Sequence, residues 1–386
     1  MSDLLNLRKF VAPEIIFGAG ARKLAGRCAQ QFSASKVLLV TDKGVIAAGW
    51  LADVQQSLEE AGVPYHVFSN VTPNPRATEV MEGTDVYRRE GCNVIVAIGG
   101  GSPMDCAKGI GIVSSNNMNI LRFEGVDKIQ MPVPPLILIP TTAGTSADVS
   151  QFCIISNRDE LVKIAIISKA IVPDVALIDP ETTTTMDPYL TACTGIDALV
   201  HAIEAFVSTA SGPLTDMHAI EGIKLVRQNL PALLKDPGNA RLRESIMLGS
   251  MKAGLAFSNA ILGAVHSMAH SLGGFLDLPH GECNAILLDH VINYNFDAAP
   301  DRFKIIAQAM GLDIRGLSNK EVRARLIDCV SALKSEVGIT KTLGQRKVAS
   351  SDIPQLAQKA VKDACLLTNP RKATKEDLEV IYGEAM

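Results

Sequence analysis

The chain has 386 residues, 47% hydrophobic and 20% charged, the balance of an ordinary globular enzyme long enough to bury two domain cores. Its formal net charge of −4 offers no attraction to nucleic acid or an anionic membrane, so neither is expected as a partner. Apolar runs all fall far short of a bilayer span, MSDLLNLRKF at the N-terminus lacks a signal core, and the eight cysteines show no C-x-x-C pair, so free thiols and a cytoplasmic location are expected.

In chain order, Lys36 to Val40 (KVLLV) predicts a strand ending in Thr41-Asp42. A carboxylate at that end lies where an open parallel sheet presents its crevice, able to accept hydrogen bonds from ribose hydroxyls and to repel a 2′-phosphate. The plainer alternative is a solvated strand-end acid. Ala47 to Ala61 and Arg76 to Glu90 read as helices, and Asn93 to Ile98 (NVIVAI) as a second strand running into Gly99-Gly100-Gly101-Ser102-Pro103. Consecutive glycines between a strand and a helix let backbone N–H groups approach a phosphate, whose charge the helix N-terminus favours. Ser102 is predicted as the N-cap, Pro103 as the first helical residue and Asp105 as a capping-box acid. GGGS is not a G-x-G-x-x-G fingerprint, and a glycine triplet alone is equally a tight turn. Pro135 to Ile139 then leads into Pro140-Thr141-Thr142-Ala143-Gly144-Thr145-Ser146, hydroxyls suited to a diphosphate or a nicotinamide amide and also ordinary in a loop.

This alternation predicts βαβ units in a Rossmann-like parallel sheet. From Pro188 the texture changes to long amphipathic segments, Tyr189 to Val207, Thr215 to Leu234, Ala240 to Gly263 and His266 to Phe275, with further helices from Asp301. Apolar residues at helical spacing and little strand signal predict an all-helical second half. The division is expected within PETTTTMDP (180–188), giving an α/β dinucleotide-binding domain over 1–184 and a helical metal-binding and catalytic domain over 185–386.

The helical half holds the most telling pattern. Asp197 and His201 stand four residues apart, one turn along one helix face. His266, His270 and His280 follow on a second segment. A carboxylate with three imidazoles suits divalent iron or zinc with a position left open for substrate, although isolated histidines are more often core or surface residues. Cys193, one turn before Asp197, and Cys283, just past His280, are read as small buried apolar residues rather than soft ligands. His66, His218 and His290 have no partner pattern and read as structural.

Five blocks in order, GGGSPMDCAKGIG (99–111), PTTAGTSADVS (140–150), TGIDALVHAIEAF (194–206), AFSNAILGAVHSMAHSLGG (256–274) and HGECNAILL (280–288), resemble the iron-dependent group III alcohol dehydrogenases. The likeness runs from VAPEIIFGAGA (11–21) to CLLTNPRKAT (365–374). It implies a metal held by Asp197, His201, His266 and His280, with His270 beside the substrate. It implies NAD contacts from Asp42, Asn74, Gly100, Gly101, Ser102, Thr141, Thr142, Thr145, Phe152, Lys163 and Leu177, and a substrate channel at Phe152, Phe257 and Cys365. Diol-using members carry a polar side chain where this chain has Phe152, so an apolar residue there argues for a simple primary alcohol or aldehyde.

The expected chemistry is metal-assisted hydride transfer between a carbinol carbon and nicotinamide in a cleft between the two halves. His270, one turn from His266, is a candidate proton shuttle, with a packing role as its equal alternative. A homo-oligomer is expected. Two rivals are weighed: a metal-dependent lyase or synthase of the dehydroquinate synthase type, and a non-enzymatic oligomeric protein keeping the fold. The first must hold a polyanion, yet no basic residue lies between His266 and His280; the intact donor set argues against the second.

Overall fold

The computed structural model describes residues 8–276 and 278–386; the first seven residues of the stretch read for a signal core lie outside them. Strand β1 (Glu14–Phe17) is followed by helix α1 (Ala25–Gln31), β2 (Val37–Val40), α2 (Lys43–Ala47), α3 (Trp50–Glu60), β3 (Tyr65–Phe68) and α4 (Ala77–Arg89). Then come β4 (Val94–Gly99), α5 (Gly101–Asn116), β5 (Gly125–Val126), β6 (Leu136–Pro140), β7 (Phe152–Asn157), β8 (Val162–Ile167) and β9 (Val175–Ile178). The order β1-β9-β6-β4-β2-β3 makes a six-stranded sheet, parallel at every pairing. The predicted strands β2, β4 and β6 are buried throughout, because a parallel sheet is covered on both faces and its strands become continuous apolar runs.

From β2 the chain steps outward to β3 and then returns to place β4 on the other side of β2. The strand order therefore reverses between β2 and β4, the point where open α/β sheets open a crevice beyond their strand ends. A second, three-stranded sheet, β5-β8-β7, with β7 and β8 antiparallel, is an addition to the predicted parallel plan.

Three local expectations change. The helix read over Ala47 to Ala61 is two, α2 and α3, broken at Gly49 with φ 88, a backbone value suited to glycine. Helix α5 starts at Gly101 with Gly100 as its N-cap and no side-chain cap, so Ser102 is inside the first turn and Pro103 is the third helical residue. Asp105 is buried, with the Ile154 backbone N–H bonded to its carboxyl, instead of reaching back as a capping acid. The freed Ser102 Oγ accepts a hydrogen bond from the Asn74 backbone N at 3.3 Å, tying the loop after β3 to the glycine turn.

The remaining major elements are helical: α6 (Pro188–Val207), α7 (Pro213–Lys235), α8 (Ala240–Ala260), α9 (Ala264–Leu276), α10 (His280–Asn295), α11 (Pro300–Ala309), α12 (Asn319–Glu336), α13 (Ile353–Ala360) and α14 (Lys375–Glu384). Helix α6 is apolar enough to span a bilayer by composition, but 89% of that stretch is buried inside the protein; it is the axis of the helical core. The segment read as one helix from Ala240 to Gly263 stops at Ala260, where Ile261 takes φ 63, and α9 departs at 100° to α8. That bend turns the His266 helix back toward α6.

Candidate active site

Three helices bring four side chains to one point. Helix α6 is started by Asp187, whose side chain accepts from Leu190 N, with Pro188 in the first turn, and its 3.6-residue period sets Asp197 and His201 on one face. Helix α9 brings His266, and His280 is the first residue of α10. The Asp197 Oδ1 atom lies 3.7 Å from His266 Nε2 and 3.9 Å from His280 Nε2, while the His201 and His266 rings stack at 4.4 Å. Donor atoms of Asp197, His201 and His266 all lie within 4.8 Å of one another. Gly281 permits the approach of α10: a Cβ there would sit 2.5 Å from the Cys193 carbonyl on α6.

Asn284, which the sequence reading missed, stands one turn after His280. Its Nδ2 lies 2.6 Å from Asp197 Oδ1, 3.1 Å from His266 Nε2 and 3.2 Å from His280 Nε2. An amide nitrogen has two protons for these three acceptors, and among the described residues the Nδ1 atoms of His201 and His280 and the Asn284 Oδ1 are buried without hydrogen-bond partners. Three buried acceptors converging on one two-proton donor leave a shortfall that a cation would satisfy.

The electrostatics agree. Burial would raise the Asp197 carboxyl, but His201, His266 and His280 around it hold it well below its ordinary range. Burial pushes His201 down to about 3 against the pull of Asp197, and takes His280 well below its usual value. His266 goes the other way, up to about 9, because Asp197 and Glu204 outweigh its burial. The set is thus an ionised carboxylate with two neutral imidazoles and a third, His266, that favours its protonated form in the empty site, so a cation binding there takes the place of that proton.

From this point one cleft of about 670 Å³ runs to the sheet edge. Asp42 lies at its far end, where it N-caps α2 by accepting from Val45 N at 2.9 Å. Gly100 and Gly101 line it; a Cβ on Gly101 would come within 2.8 Å of the Thr145 side chain, so only glycine lets that loop and the helix start meet. Asn74, Ser102, Thr142, Thr145, Phe152 and Lys163 also line the cleft, as do Phe257, His270 and the four donors. Lys163 Nζ donates to Asn74 Oδ1 at 2.7 Å.

Three residues that the resemblance put at the site do not line it. Thr141 is buried and its N donates to Gly99 O at 2.8 Å, so it continues the β4–β6 pairing. Leu177 is fully buried in β9, next to the edge strand β1, and packs on the face covered by α1 and α3. Cys365 is fully buried behind His270. Residues the sequence reading passed over do line the cleft, among them Ser69 to Pro73 after β3 and Thr194, and so does Cys193. Cys193 carries a thiol that burial pushes up to about 12, consistent with an inert apolar neighbour rather than a ligand.

His270 is oriented from behind: its Nδ1 is 2.8 Å from Asp363 Oδ2, and Asp363 Oδ1 accepts from Cys365 N at 2.8 Å. Burial would raise the Asp363 carboxyl, but His270 and these hydrogen bonds lower it. Its partner ring stacks on His280 at 5.3 Å. Opposite, Phe257 stacks on His201 at 4.3 Å and meets Phe152 edge-on at 5.4 Å, an apolar wall beside the donor set.

Residues 12–180 match the model for the iron-containing alcohol dehydrogenase, and residues 191–386 that for the C-terminal part of the Fe-containing alcohol dehydrogenase family. The chain belongs to the iron-containing alcohol dehydrogenase family. It is 39% identical over 379 residues to 1,3-propanediol dehydrogenase of Klebsiella pneumoniae, covering 97% of this chain and 98% of that one. It is 37% identical over 377 residues to NAD-dependent methanol dehydrogenase of Bacillus methanolicus, with coverage of 98% and 99%. A crystal structure of 1,3-propanediol oxidoreductase superposes with a TM-score of 0.95 at 39% identity, over 99% of this chain and 100% of that one. Within this iron-containing family, the expected α/β-then-helical architecture and the oxidoreductase class both hold. The lyase alternative is not favoured: among the described residues the cleft is lined by two Lys side chains, Lys43 and Lys163, and no arginine, too little charge for a polyanionic substrate.

Proposed function

We propose that this enzyme is an NAD-linked, divalent-metal-dependent dehydrogenase that interconverts short primary alcohols and aldehydes. In this reading residues 1–184 hold the nucleotide and 185–386 hold the metal. The observation that carries it is the single cleft joining Asp42 and the Gly100-Gly101 turn to the donor set of Asp197, His201, His266 and His280. When bound, the ion favours the alkoxide form of a substrate hydroxyl and nicotinamide exchanges hydride with the carbinol carbon.

The protein's own contributions follow from its side chains. The free backbone N–H groups at the start of α5 receive the diphosphate, and the Asp42 carboxylate accepts hydrogen bonds from the adenosine ribose. Lys163 and Asn74 brace the wall where the cleft passes between the two halves. His270, its Nδ1 engaged by Asp363, turns Nε2 to the cleft and relays the substrate proton toward solvent. Phe152 and Phe257 shed water from the reacting end and accept a short alkyl chain in preference to a second hydroxyl. Eight free cysteines, seven of them buried, support a reducing cytoplasmic setting. Exposed Leu214 and Met217 on α7 support self-association into a homo-oligomer.

The test is NADH formation by anaerobically prepared protein loaded with Fe2+ or Zn2+, across a panel of alcohols with both nicotinamide cofactors. Alcohol-dependent NADH production that chelation abolishes and metal restores is the expected result. A metal-loaded, NAD-binding protein with no turnover on any primary alcohol would overturn the reading and favour the non-enzymatic alternative.

A further inference from the structure

Glu204 lies on α6, three residues after His201 and seven after Asp197, yet it does not line the cleft. It is 3% exposed and faces the break between α8 and α9. Its Oε2 is 2.7 Å from His266 Nδ1 and accepts from Gly263 N at 3.2 Å and His266 N at 3.3 Å, while Oε1 accepts from Val265 N at 2.7 Å. The approach is close: a Cβ on Gly263 would stand 2.9 Å from Glu204 Oε1. One carboxylate therefore both closes the N-terminus of α9 and grips the back of an imidazole on that helix.

That contact decides the chemistry of the ring. A carboxylate surrounded by N–H donors is an acceptor, so His266 Nδ1 keeps its proton, and in the neutral ring it is Nε2, on the Asp197 side, that offers its lone pair. Among the described residues His201 and His280 have no such support, since their Nδ1 atoms are buried without partners. We propose that Glu204 is a positioning residue for the metal: it fixes the tautomer and direction of His266 and makes that imidazole the pre-set member of the donor group. Carboxylates behind a ligating histidine raise its basicity and lock its ring, and their loss typically lowers metal affinity about 10- to 100-fold.

The inference rests on the proposed metal site, and its test separates the two. Metal-stripped protein is titrated with Co2+ against a chelator, without substrate, for the unmodified enzyme and for Glu204→Gln, His266→Ala and Asn369→Ala. Asn369 Oδ1 accepts from Ala264 N at 3.1 Å, so Asn369→Ala loosens the same helix start while leaving the His266 ring alone. Glu204→Gln cannot satisfy every N–H that faced the carboxylate, and it is expected to weaken Co2+ binding about 10- to 100-fold and to change the cobalt absorption spectrum. Asn369→Ala should stay within about threefold of the unmodified protein, and metal-free NAD binding should be unchanged in both.

If Glu204→Gln keeps its affinity while His266→Ala loses it, or if Asn369→Ala weakens binding as much as Glu204→Gln, the positioning role is wrong. If His266→Ala also keeps its Co2+, the metal site itself is misassigned. Independent of any variant, 15N spectra of the unmodified, metal-free protein must show His266 protonated at Nδ1; protonation at Nε2 alone overturns the proposal.

Discussion

Asp42 offers a test of cofactor choice in which charge and structure can be separated. One of its oxygens is committed to Val45 N at 2.9 Å as the cap of α2, and the other remains for the ribose. A 2′-phosphate held in place of that ribose hydroxyl would lie about 5 to 6 Å from the carboxylate. Across an effective dielectric between 20 and 80 this costs roughly 1 to 3 kcal/mol per unit of charge, or about tenfold to a hundredfold in affinity. Asp42→Asn keeps a good N-cap and removes the charge, whereas Asp42→Gly removes both at a capping cost of only a few tenths of a kcal/mol. Both should raise kcat/KM for NADP relative to NAD by about tenfold or more, measured as initial NADH or NADPH formation on one alcohol. Equal use of the two cofactors by the unmodified enzyme would refute the argument. So would a shift with Asp42→Gly that Asp42→Asn fails to reproduce, since the effect would then come from space rather than charge.

His266→Ala and His280→Ala should both lose bound metal and nearly all turnover while still binding NAD, as checked by metal analysis and fluorescence titration, because the nucleotide end of the cleft is built from other elements. His270→Ala should retain its metal and lose only part of its kcat; a metal-free His270→Ala protein would show that the donor set has been drawn wrongly. Phe152→Asn should improve kcat/KM for 1,2-propanediol relative to 1-propanol by roughly tenfold to a hundredfold, the value of about 1 to 3 kcal/mol for giving a buried hydroxyl a partner. An unmodified enzyme that already prefers the diol would refute the apolar-wall reading.

What could be read from the sequence follows from how each feature is encoded. Strands β2, β4 and β6 were legible because burial on both faces leaves an unbroken apolar run, while β1 and β3, at the sheet edges and mostly half-buried, carry no such run. The hairpin of β7 and β8 has the same apolar texture as a parallel strand pair, and only the short exposed turn between them, too short for a crossover, distinguishes it. Ser102 misled because a hydroxyl before an apolar helix is the usual cap signal, whereas here the cap is left to Gly100, keeping the helix start open to a ligand. The proposed metal donors stood out because a helix repeats every 3.6 residues and Asp197 with His201 obeys that period.

The residues behind the donors were harder to see, for a physical reason. Glu204 and Asn284 do share helix faces with His201 and His280, but a glutamate or asparagine on a helix is common, and nothing local marks it as buried. Asp363 lies 93 residues from His270, so only the fold pairs them. A ligand's identity is written in its own chemistry, while its orientation is set by a partner that the tertiary structure delivers. The Glu204–His266 and Asp363–His270 contacts are two solutions to that one problem: each carboxylate takes the Nδ1 of an imidazole and leaves Nε2 for the site. The two pairs then differ only in what Nε2 faces, the Asp197 carboxylate for His266 and the substrate end of the cleft for His270. That difference is why removing one imidazole should empty the site of metal and removing the other should only slow the reaction.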